Sequence, residues 1–114
     1  MADKRNIDRH KKRLPVRFGS GAATKLAFTE DISEDGIFIR TALTWPPGTI
    51  LQVEMTLPDD EYVFFEGMVC WAKKYPPQLI NKVQKAGFGL RIVRFVAGKA
   101  AYANLVDEMH ARYK

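Results

Sequence analysis

Two short segments carry side chains whose types and spacing could recognise a planar, negatively charged ligand. Asp31-Ile32-Ser33-Glu34-Asp35-Gly36 is a D-x-S-x-x-G pattern. In an extended chain Asp31 and Ser33 share one face while Ile32 points the other way, which sets a carboxylate beside a hydroxyl on the outside of a sheet. A carboxylate can accept both N–H groups on the Watson–Crick edge of a guanine, and the hydroxyl adds a donor and an acceptor. Gly36 would permit a tight turn, or a positive φ, and close approach of a ligand to the backbone. The same residues also describe an ordinary hairpin turn, because Asp and Ser are turn formers. The other segment is Arg9-His10-Lys11-Lys12-Arg13, an R-x-x-x-R. Its two guanidinium forks would lie up to about 13 Å apart in an extended chain, against about 6 Å on a helix. Such forks suit phosphates and the guanine edge, and they stack on bases. A solvated basic tail would carry the same residues.

The charge distribution favours an anionic partner. The chain has 114 residues, one domain's worth, and a formal net charge of +5. Residues 1–17 hold seven bases and two acids, whereas residues 18–114 hold 11 of each. The whole excess therefore sits on a basic N-terminal arm, residues 1–13 and the residues just after it, joined to a neutral body over 14–114. At 46% hydrophobic the body can build a core. With one cysteine it forms no internal disulfide, and Cys70 between Val69 and Trp71 reads as a small core residue of a reducing compartment. One Cys and two distant histidines exclude a four-ligand zinc site. The charged start has no apolar signal region, and no apolar run is long enough to span a membrane, so a cytoplasmic location is expected.

The elements that must position these groups follow from periodicity. Leu14, Val16 and Phe18 alternate along a first strand, and Leu26, Phe28 and Ile32 share one parity along a second over 24–33. Ile37-Phe38-Ile39 follows the Glu34–Gly36 turn as a third. Residues 49–57 put Leu51, Val53, Met55 and Leu57 inward. Residues 62–72 place Val63, Phe65, Val69 and Trp71 on one side, with a bulge at Gly67, and 87–95 form a sixth strand. Tyr102, Leu105, Val106, Met109 and Tyr113 then form one stripe of a helix over about 99–113. Six strands with short connections and one terminal helix predict a mainly β fold, a six-stranded antiparallel barrel with a C-terminal helix and a flexible arm.

In this order and spacing the two motifs resemble the PilZ domain family. Pro46-Pro47-Gly48-Thr49, Gly67-x-Val69-x-Trp71 and Gly87-Phe88-Gly89-Leu90 look like further strands of that family, so the resemblance runs over about residues 9–107. It implies a β-barrel receptor for the bacterial second messenger cyclic di-GMP, which carries two phosphates and two guanines. Matched position by position, Arg9 and Arg13 would hold phosphates and guanine faces, Asp31 and Ser33 a guanine edge, and Gly36 would shape the turn. Members that bind a stacked ligand pair often carry an arginine where this chain has Asp8, whose charge repels phosphate; Arg5 or Lys12 could compensate.

The remaining candidates read less sharply. Trp71 could flank a ligand, although its parity favours the core. Arg91 could support the site or be a solvated strand arginine. His10 is expected to be solvated within the arm, and His110 lacks a catalytic partner at useful spacing. No nucleophile–base pair, cofactor motif or metal set is present, so a non-enzymatic receptor is expected, whose arm orders over the ligand and is read by a partner protein. The rivals are a basic-arm barrel that binds single-stranded nucleic acid, disfavoured by Asp31 and by the lack of an outward aromatic ladder, and a ligand-independent adaptor on the same scaffold.

Overall fold

Period-two patterning becomes strand, and the change of period after Gly98 becomes helix. The structure, a computed structural model, describes residues 10–43, 45–73 and 86–112, with the backbone alone for 71–73 and 112. Its elements are β1 (His10–Lys11), β2 (Pro15–Gly19), β3 (Lys25–Ile32), β4 (Gly36–Arg40), β5 (Ile50–Thr56), β6 (Tyr62–Lys73), β7 (Gly87–Ala97) and α1 (Lys99–Arg112). Neighbouring strands run β2-β5-β6-β7-β4-β3, and β3 pairs back with β2, so six antiparallel strands close into a barrel. Closure removes free sheet edges. It requires local twist, and β6 supplies this with register shifts at three places, including the expected one at Gly67.

The core fills from inward-facing residues of every barrel strand. Leu51, Val53 and Met55 of β5 are fully buried, as their alternation predicts. Phe18, Trp45 and Phe88 meet edge to face with centroids 5.6–5.7 Å apart. Helix α1 adds Tyr102, Leu105 and Met109 to the same cluster, with Val106 partly buried against it; Tyr113 lies outside the described residues. Gly98 sets the sharp entry into α1. Its φ is +82°, and a Cβ there would sit 2.5 Å from the Tyr62 carbonyl oxygen. On the outer face, Arg94 and Gln52 hydrogen-bond Glu66. The Arg94 bond, then the Gln52 bond, holds the Glu66 carboxyl below its ordinary value of 4.5. A lowered native pKa means the contribution is complete above that ordinary value and is lost as pH falls through the lowered one.

Three expectations change. Leu26 and Phe28 face outward, 72% and 41% exposed, whereas Ile32 is buried. A β-bulge between Thr29 and Asp31 shifts the parity midway along β3, so residues on one parity of the sequence fall on two faces. Cys70 is exposed on β6, because Val69 takes the inward position beside it. His10 and Lys11, which the sequence places in the arm, pair with Ile32 and Asp31 as β1, an extension of the first barrel strand along β3. Residues 1–9, with Arg5, Asp8 and Arg9, lie outside the described residues, as does the Trp71 side chain.

Candidate ligand-binding site

The register joins the two motifs. Lys11, the centre of R-x-x-x-R, lies opposite Asp31, the first residue of D-x-S-x-x-G. Lys12 N–H donates to the Glu30 carbonyl at 3.1 Å, continuing the contact. Arg13 then projects outward, with its guanidinium carbon 4.1 Å above the centre of the Phe28 ring. His10 points in, 8% exposed, its ring 6.1 Å from that of His110 on α1. That corrects the solvated arm histidine expected from the charges around it.

Lys11, Lys12, Arg13, Phe28, Glu30 and Arg40 line an open groove of about 730 Å³ outside β1, β3 and β4. Glu30 holds Lys11 Nζ at 3.1 Å and Arg40 Nε at 3.4 Å. These four bases outnumber the one carboxylate, so the groove carries a net positive charge that favours anions. Nothing in the local pattern of Arg40 marked it; it enters because β4 pairs with β3 at Phe28.

The turn is built differently from its expected geometry. Asp31 is half-buried, and Ser33 is fully buried rather than beside Asp31 on the outer face. β3 ends at Ile32 after the bulge, so Ser33 turns in. Its N–H and hydroxyl both donate to the Gly36 carbonyl, at 2.9 and 3.1 Å, and the hydroxyl also approaches Asp35 Oδ1 at 3.3 Å. Tyr102 Oη donates to the Ser33 carbonyl at 2.5 Å, and Ile92 N–H donates to the Asp35 carbonyl at 2.8 Å. The turn is thereby tied to α1 and to β7.

Gly36 answers a need for space, not for a positive φ. A Cβ there would lie 2.5 Å from the Leu90 carbonyl oxygen on β7. Gly36→Ala should therefore force β4 and β7 apart and lower stability by about 1–3 kcal/mol, read as a lower urea midpoint. Gly36 also pairs with Arg91, whose exposed side chain leaves β7 beside the turn. Among the described residues, no group of His, Cys, Asp and Glu could hold a metal ion, and no helix is long and apolar enough to cross a membrane.

The fold is a small closed antiparallel barrel with one C-terminal helix, in which a basic segment pairs beside an acidic hairpin. The chain belongs to the PilZ domain family, whose model matches residues 3–98. This is a family of cyclic di-GMP receptors, binding and adaptor domains that are not catalytic. Among solved structures, the chain is similar to the inhibitor of motility MotI/DgrA of Bacillus subtilis, with 19% identity and a TM-score of 0.75 over 97% of this chain. It spans 53% of that structure's chain. It is also similar to the PilZ domain of CeSA from a cellulose-synthesizing bacterium, with 15% identity and a TM-score of 0.61, covering 90% of this chain and 98% of that one. No curated protein matches the sequence significantly.

Proposed function

We propose that this chain is a receptor that binds cyclic di-GMP between the R-x-x-x-R segment and the D-x-S-x-x-G hairpin, and that a partner protein reads the result. The observation that carries the reading is the pairing of Lys11 with Asp31, which brings the two motifs side by side. In this reading Arg9 and Arg13 take phosphate and guanine faces and Asp31 takes a guanine edge. Ser33 and Gly36 act through the shape of the turn, since Ser33 is buried and its hydroxyl already donates within the hairpin. Lys12 and Arg91 supply flanking charge. The reading needs no enzymatic step and no cofactor, and it places the protein in the cytoplasm with its ligand.

Isothermal titration calorimetry of the wild-type chain with cyclic di-GMP tests the proposal. Saturable binding that GMP does not compete away is expected, and the fitted stoichiometry shows whether Asp8 leaves room for a stacked pair. Absence of heat and of chemical-shift change at millimolar ligand overturns it. A parallel salt titration with single-stranded RNA tests the nucleic-acid rival, for which affinity must fall steeply with salt.

A further inference from the structure

We propose that Thr29 and Phe28 are positioning residues for Arg13, one acting on its backbone and the other on its guanidinium. This inference rests on the cyclic di-GMP reading for its functional meaning, while its geometry stands independently. The two residues are neighbours on β3, so their side chains leave opposite faces of the strand. Thr29 points in and is 1% exposed. Its hydroxyl donates to the Lys12 carbonyl at 2.5 Å and accepts from Leu14 N–H at 2.9 Å, while its own N–H donates to the Leu14 carbonyl at 2.9 Å. The Lys12 carbonyl belongs to the peptide plane before Arg13, and Leu14 N–H to the plane after it. One hydroxyl therefore pins both planes that define φ and ψ of Arg13.

This pinning falls between β1 and β2, where the ladder along β3 is interrupted. Packing does not ask for a hydroxyl at a site this buried; valine has the same shape. The polar group serves the two backbone atoms that flank Arg13. Phe28 points out and supports the other end of the same residue, with the guanidinium stacked 4.1 Å from its ring centre. A guanidinium resting on one ring presents its opposite face and its N–H edge outward, which suits a stacked base or a phosphate. Holding it there before the ligand arrives removes an ordering cost from binding.

The test compares wild type with Thr29→Val, Thr29→Ser and Phe28→Leu. Thr29→Val keeps the volume and loses both hydroxyl bonds, and should weaken cyclic di-GMP about tenfold. Thr29→Ser restores the hydroxyl and should bind within about threefold of wild type. Phe28→Leu, at an exposed site, should weaken binding several-fold and lower the thermal midpoint by only a few degrees. Order parameters of the Arg13 Nε–H group, measured by NMR without ligand, supply a readout that fold integrity alone would not move. They should be high in wild type and Thr29→Ser and fall in Phe28→Leu and Thr29→Val. Equal Arg13 mobility in wild type and Phe28→Leu overturns the inference, as does unchanged affinity of Thr29→Val. If wild type binds no cyclic di-GMP, the functional reading fails, while the order parameters still decide whether the two residues position Arg13.

Discussion

Arg13→Ala should weaken cyclic di-GMP binding on the order of 100-fold, because the guanidinium supplies more than one charge-assisted bond of about 1.5–3 kcal/mol each. The barrel should hardly notice. Arg13 is exposed, its packing partner is the surface ring of Phe28, and that contact is worth about 0.5–1 kcal/mol. The Thr29 bonds run to the backbone of Lys12 and Leu14 and survive the substitution. Asp31→Ala should lose binding to a similar degree, and Asp31→Asn, which keeps one acceptor without the charge, should fall between. Calorimetry with the three variants checks this against their thermal midpoints. The sign of the Asp31 effect carries the most weight. A partner recognised only by its phosphates would be repelled by Asp31, so Asp31→Ala would bind it as well or better. Such an outcome would sink the guanine-edge assignment and leave only the basic groove.

Tyr102 should be the most costly position for stability outside the barrel strands. It is almost fully buried, packs on Phe95 with ring centroids 5.7 Å apart, and donates its hydroxyl to the Ser33 carbonyl. Tyr102→Phe removes only the oxygen, yet leaves a buried carbonyl with one bond fewer and should cost about 1–3 kcal/mol. Tyr102→Ala empties a cavity as well and should cost about 3–5 kcal/mol. Urea unfolding followed by tryptophan fluorescence measures both. The finer expectation concerns the hairpin. Tyr102→Phe should raise the amide exchange of residues 33–36 well before it unfolds β5, since that bond is the link from α1 to the turn.

The architecture was legible because it depends on local periodicity. Leu51, Val53 and Met55 of β5 announce an inward face by alternation alone, and Tyr102, Leu105 and Met109 announce a docked helix by their 3.6-residue spacing. Periodicity fails where a strand changes phase. The bulge after Thr29 leaves Leu26 and Phe28 facing solvent while Ile32 faces the core, Ser33 turns in where β3 ends, and nothing in Lys25–Ile32 states where the extra residue falls. The candidate motifs were visible as spacings, but the residues that hold them in place were not. Thr29 meets its partners 15 and 17 positions away, and Tyr102 reaches Ser33 across 69. A threonine on a strand and a tyrosine on an apolar stripe look like ordinary packing until pairing brings their oxygens to particular backbone atoms. His10 shows the same limit: its neighbours in sequence are charged, while its neighbour in space is His110.

Helix α1 touches both halves of the site with residues eight positions apart. His110 meets His10 on β1, and Tyr102 meets Ser33 in the hairpin. At 1.5 Å per residue those two footholds are about 12 Å apart on a rigid rod. A strut of fixed length leaves few ways for one foothold to shift alone. If β1 moves against the hairpin, α1 must tilt, slide or release one end, so a displacement near the groove is felt along the whole helix.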